Sequence, residues 1–410
     1  MKFERQSLVR TVKVSVIVSL LLMSFLAGYI FASPGFVAPD IYMDDFPSSA
    51  SYVVKTDGTY FWAVRYDGKL LWSGTDASTV IQAAINALTN GGKIFIKSGT
   101  YIITNPIEIV GELTLEGENC ESTILKLSNG ANCNVFEYTG AAYIYFPTFK
   151  HLRIEGNKEN NNAGSGIKMN DKACDGLIFD CFILSFKENN IQIDYSWNWR
   201  IINCCIEYAG NYGLIGGNFI TDTKFLYNDV GAFNVFSIGK CLFFSNQKNA
   251  LTVAQQIIEC KFEHNGLAGT GYSDVVLGTA RQNPIVIGNY FDGSNQSSYG
   301  VYVMANVVDA IITGNFFKDY QWEKIHDVGT NTKIFGNQGF VTESSGTATI
   351  SASTTVTFNH GLAGTPTHVK CGFKTTGYGS WIWSATSTQI TITVVNSGTY
   401  NLTWDAEYKP

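Results

Sequence analysis

The chain is short of charge. Of its 410 residues only 15% are Asp, Glu, Lys or Arg, against roughly 25% in an ordinary soluble domain. With 14% aromatic residues as well, neither a coiled coil nor a disordered polymer fits. Positive charge is scarcer still: 28 Lys+Arg stand against 34 Asp+Glu. Without a basic stripe to displace counterions from phosphates, nucleic acid is excluded as a partner. Histidine occurs five times, never at the i, i+4 or CxxC-type spacing of a zinc site. Also missing are GxSxG, HExxH and any phosphate-cradling glycine pattern. What is abundant is Gly (40, to 8 Pro), Phe (27) and Tyr (21), the composition of many short strands and turns.

The first 33 residues stand apart and do not belong to the fold. Lys2, Arg5, Arg10 and Lys13 against Glu4 give a net +3, and Val14 to Ala32 is a 19-residue run without charge. As a helix that run reaches roughly 28 Å, enough to span a bilayer with the basic flank inside. Residues 14–32 therefore read as a membrane anchor, or as a signal peptide that is cleaved. The small residues of an A-x-A-like site are missing around Phe31-Ala32-Ser33. Either way the remainder is expected outside the cell. Removing the segment leaves 24 basic (28 − 4) and 33 acidic (34 − 1) residues, a net of −9.

A unit recurs through the middle of the chain. GLIFDCFI, RIINCCI, SIGKCLFF, QIIECKF, IVIGNYF and AIITGNFF are each followed by a polar loop and a second short strand. Counting Cys181, Cys204, Thr223, Cys241, Cys260, Asn289, Asn315 and Asn337 gives steps of 23, 19, 18, 19, 29, 26 and 22. One coil of a parallel β-helix has that length. The cysteines then form a buried column of inert thiols, and the asparagines a ladder of stacked amides. A local bridge such as Cys120 to Cys133 is an alternative that the sequence leaves open. Asp76 or Ser78 can cap a helix over 76–90 with Val80, Ile81, Ala84, Ile85 and Leu88 on one face, a plug for the open end. Residues 34–75 read as a stalk and a β-meander with Asp57-Gly58 and Asp67-Gly68 turns.

TDASTVIQAAINALTNGGKIFIKSGTYIIT, followed by these coils, resembles the opening of the pectate-lyase-like right-handed β-helix superfamily. The resemblance implies an all-β fold: a right-handed parallel β-helix over 76–340 with an N-terminal capping helix. It also implies polysaccharide as the ligand class. Residues 341–410 show period-2 strands and turns every 8 to 12 residues, a small C-terminal β-sandwich joined by a Ser/Thr/Gly linker. TVTFNHGLAGTPTHV in it is similar to modules of phage fibres and other surface proteins. Tyr378, Trp381 and Trp383 are its core or a sugar platform.

The superfamily's hydrolase series of Asn-Thr-Asp, Asp-Asp and Gly-His-Gly is missing, as is its lyase Arg-x-Pro-x-x-Arg. Outward positions on one face read Lys168, Gln192, Asn234, Thr252, Val276, Tyr302 and His326. Counting back from Cys181 and Cys204 puts Asp171 and Asp194 at equivalent places on adjacent coils, with Tyr195, Trp197, Trp199 and Arg200 following. Asp171, Asp194 and Arg200 are the catalytic candidates. Lys168, Trp197, Trp199, Tyr302 and His326 are the ligand-binding ones. The two aspartates could hold Ca²⁺, the one cofactor suggested. The alternative is that both aspartates cap turns and the tryptophans pack against the wall. Two functions follow: a surface-anchored β-helix that binds polysaccharide or a cell-surface glycan as an adhesin, homo-oligomeric assembly being open, or a lyase or hydrolase acting on a uronate-containing glycan.

Overall fold

The computed structural model describes residues 50–278 and 282–409. The segment expected to cross or anchor in the membrane, and the proposed stalk up to residue 49, lie outside them. Among the described residues no helix is long and apolar enough to cross a membrane.

Each coil contributes three short strands, as in Thr148–Lys150, Arg153–Glu155 and Ile167–Met169, one to each of three faces. Every strand pairs in parallel with the equivalent strand of the coils before and after, so Phe149 lies beside Leu115 and Ile178. The second face is a ten-stranded parallel sheet. Its central residue points inward in each coil, which stacks Phe225, Phe243, Phe262, Phe291 and Phe317 with centroids 4.7 to 4.9 Å apart and planes within 2 to 9° of parallel. That spacing is the distance between hydrogen-bonded strands. The strand repeat alone sets the rings in contact.

The corner between the first and second faces carries the expected column. Cys181, Cys204, Cys241 and Cys260 are buried there, and all nine cysteines are free thiols, Cys120 and Cys133 included. Burial pushes the Cys204 thiol up to about 12 and that of Cys181 well above its ordinary value. From residue 289 onward amides take over: the side-chain N–H of Asn289 donates to Asn315 at 2.9 Å and that of Asn315 to Asn337 at 2.9 Å. Each column residue follows one in the left-handed region, such as Asp180, Asn203 and Lys240, which turns the chain onto the next face. A second buried amide column, Asn228, Asn246 and Asn265, occupies the next corner and ends on Asp274.

The capping helix is Ala77–Asn86, shorter than the sequence suggests. Asp76 caps it through Ser78 and Thr79, while Val80, Ile81, Ala84 and Ile85 cover the first coil. Gly91, in the left-handed region, leads the chain out. The meander forms as expected from Tyr52–Thr56, Phe61–Arg65 and Leu70–Gly74. It is not a separate stalk, however, because Tyr52–Thr56 also pairs in parallel with Gly92–Ile96 and extends the first face.

The tail forms a separate all-β core as expected, built from one four-stranded antiparallel sheet bent on itself. Gln389–Glu407 pairs with His368–Phe373 through its second half and with Trp381–Ala385 through its first, while Glu343–Asn359 runs along both. Register shifts around Ser353 bend the sheet so that Ile350, Ile392, Leu402 and Trp404 share one core. Trp404 fills that core; Trp381 and Tyr378 pack at its margin and Trp383 is exposed.

Candidate functional site

The corner from the third face back to the first is irregular in the early coils. Turns 110–112, 143–146, 172–175 and 195–198 stack there through backbone bonds: Glu112 N–H to Tyr145, Ile144 to Lys172, Phe146 to Cys174 and Asp175 to Trp197, at 2.7 to 3.0 Å. Two coils further on cross this corner with a continuous strand, Val230–Gly239 and Leu251–Ile258, and beside them the stacked turns form a ledge. On it Tyr143, Tyr145, Phe146, Tyr195 and Trp197 are 45 to 83% exposed. Tyr143 and Tyr145 are stacked 6.3 Å apart at 18°. Lys172 Nζ sits 4.7 Å over the Tyr143 ring and 2.8 Å from Asp171, whose carboxylate raises the lysine's proton affinity. Between the ledge and the end of the capping helix lies a cavity of about 590 Å³, lined by Asn86, Leu88, Asn90, Glu112, Tyr143 and Tyr145 among others.

Of the residues singled out in the sequence, Tyr195 and Trp197 fall on this ledge, and Asp171 borders it through its ion pair with Lys172. Asp194 adjoins it at the end of the third-face strand, accepting a 2.8 Å bond from Gln192. Asp171 and Asp194 are not equivalent, because Met169 pairs with Ile193 and this sets Asn170 beside Asp194. The loop after Met169 is one residue longer than counting from the cysteines allowed. Each aspartate is tied to its own neighbour, and among the described residues no three His, Cys, Asp or Glu gather to hold a metal. Lys168 points out from the third face and Arg200 from the first, either side of the corner.

Trp199 is a correction. It lies inside the cylinder, fully buried, donating its indole N–H to Ala173 O at 2.6 Å and to Ser196 Oγ at 2.9 Å. Gly176 makes the room: a Cβ there would come within 2.5 Å of the indole. Strand parity had the signal, since Ile201 faces inward and Trp199 shares its side.

Tyr302 and His326 are not part of the ledge. The outward row reads Lys168, Gln192, Ile215, Phe233, Thr252, Val276, Tyr302 and His326, with Phe233 where Asn234 was expected. Six coil steps separate Lys168 from Tyr302, roughly 29 Å of axis at about 4.8 Å each. Tyr302 and His326 are brought together with each other, ring centroids 5.3 Å apart, and with Tyr299, 4.8 Å from His326. His326 Nδ1 lies 2.7 Å from Glu323. Sequence reasoning missed Tyr143, Tyr145, Phe146 and Lys172, although AAYIYF in a loop was a visible aromatic cluster.

No protein-family model matches the chain. A stretch of 95 residues, 22% of the chain, is 35% identical to tRNA pseudouridine synthase B of Campylobacter jejuni; the chain spans only about a third (35%) of that relative's length. Among solved structures, ORF18 of Geobacillus virus E2 aligns with a TM-score of 0.56 at 15% identity, over 79% of this chain and 74% of that one. The A-module of a mannuronan C-5 epimerase from Azotobacter vinelandii aligns with a TM-score of 0.46 at 18% identity, over 64% of this chain and 95% of that one. The viral protein's likeness bears on architecture alone, and none of the three bears on site or activity. Coil register, stacked columns and the cap together show a chain with the parallel β-helix fold.

Proposed function

We propose that this protein binds an acidic polysaccharide along the aromatic ledge, displayed at the cell surface by residues 14–32 or released there after their cleavage. One observation carries the reading: the stacked turns hold Tyr143, Tyr145, Phe146, Tyr195 and Trp197 in solvent beside Lys172. Rings fixed on a rigid sheet stack on sugar faces at little entropic cost, and Lys172, Lys168 and Arg200 offer cations to uronate carboxylates on both sides of the corner. The exported body's net −9 (24 − 33) opposes a polyanion at range. Ca²⁺ therefore enters as a bridge completed by the glycan's own carboxylates, with Asp194 and Asp171 as the protein's share. Binding is supported over lyase or hydrolase action because Asp171 and Asp194 are engaged separately rather than as an acid–base pair.

The test is calorimetric titration of the full chain with hexagalacturonate. Trp197→Ala and Tyr145→Ala should each weaken binding roughly tenfold with the melting temperature unchanged, and a chelator should weaken the wild type. Wild-type affinity in both variants defeats the reading. Release of unsaturated uronates or new reducing ends by the wild type would make the protein an enzyme instead.

A further inference from the structure

At the far end of the solenoid the last coils and the tail sheet enclose a cleft of about 390 Å³ that no residue of the ledge touches. Trp322 lines it, 55% exposed and braced against the Tyr299 ring at 5.3 Å. The backbone under it is fixed, Gln321 N–H donating to Ser297 O at 3.2 Å and Trp322 N–H to Ser298 O at 3.1 Å. Glu323 lines one wall, and its carboxylate is set by His326 Nδ1 at 2.7 Å. Asn295 lines another, its carbonyl held by the Gln321 side chain at 2.8 Å. Tyr320 backs the cleft with its hydroxyl on Asp274, which is fully buried.

The tail supplies the remaining side. Ala363 lines the cleft, and its N–H donates to Val341 O at 2.8 Å; Phe340, also in the lining, meets the Tyr408 ring at 6.4 Å. A half-exposed indole, fixed amide and carboxylate acceptors, and a volume within the usual range for small ligands suit a pyranose ring and its hydroxyl donors. Charge narrows the class. The lining carries two carboxylates, Asp319 and Glu323, against the single ammonium of Lys324, so a sugar carboxylate meets a surplus of like charge.

We infer that this seam is a second binding site, for a sugar residue that carries no carboxylate, and that it is complete only with the tail in place. It stands apart from the ledge in position and in charge preference, so either site can fail without the other. The test is titration of the full chain with cellohexaose and with chitohexaose, hexagalacturonate serving as the acidic control, followed by tryptophan fluorescence and calorimetry. At least one of the two uncharged oligosaccharides should bind. Trp322→Ala should then weaken it roughly tenfold, Trp322→Phe should stay within about threefold of wild type, and Trp197→Ala should have no effect. Glu323→Gln, which keeps the shape, should weaken it severalfold. The inference is overturned if neither uncharged oligosaccharide binds at millimolar concentration. It is equally overturned if Trp322→Ala binds like the wild type, or if the loss follows Trp197 in place of Trp322.

Discussion

Asp274 is the most constrained titratable residue of the solenoid. It ends the inner amide column, accepting from Asn265 at 2.9 Å, from Ser297 Oγ at 3.2 Å and from the Tyr320 hydroxyl. Burial raises its pKa to about 7 in spite of those three donors, and the charge of Asp292 adds to the rise. An unfolded Asp titrates near 4. Between those values the folded chain holds a proton that the unfolded chain has lost, so this residue's contribution is full at low pH and is lost as pH rises toward and through 7. Asp274→Asn should remove that dependence: thermal melts at pH 5 and pH 8 should differ less in the variant than in the wild type. A variant with the wild-type difference would place the titration elsewhere. Trp199 teaches a different lesson at this scale. Its neighbours in sequence are exposed, and only the parity of one short strand separates a ligand platform from a wall.

Among the elements, the phenylalanine stack of the second face is what the coil repeat makes most rigid. Phe262 lies between Phe243 and Phe291 with both centroids under 5 Å away, and it is fully buried. Phe262→Ala should therefore cost about 3–5 kcal/mol, and Phe317→Ala, next to the last coil, less, in denaturant melts. Equal costs would argue against a continuous stack. Elements of this kind were legible in the sequence because every coil repeats them at a fixed place after a left-handed turn residue. The thiol column and the Asn289–Asn315–Asn337 ladder follow that rule. The inner column of Asn228, Asn246 and Asn265 obeyed it too, following Tyr227, Ser245 and His264, and went unread. The ledge was not legible in the same way. Its turns differ in length from coil to coil, so counting from the cysteines drifts by one residue and misplaces Asp171 against Asp194.

For the whole molecule, both ends of the cylinder are closed, and by different means. The helix covers the first coil, while Phe340 and Tyr408 reach the core of the last, and Thr342 Oγ1 donates to Ile334 O at 3.3 Å. The Ser/Thr/Gly-rich tail is thus part of the closure rather than an appendage, contrary to the linker reading. Removing residues 341–410 should lower amide protection in Ile311–Thr313 and Lys333–Phe335 by hydrogen exchange while leaving Arg200–Ile202 unchanged. Full protection at the last coils without the tail would restore the view of a separable module.

The parallel register also fixes how the cylinder bears load. Strands lie across its axis, and the bonds joining one coil to the next, such as Cys205 N–H to Cys181 O at 2.9 Å, point along it. Tension applied between the ends opens those bonds one layer at a time, and in the middle of the chain each layer frees 18 or 19 residues of slack. Compression meets stacked rings and backbone already in contact. The body is therefore a strut: stiff when it pushes against a surface, and yielding in small even steps when pulled from one.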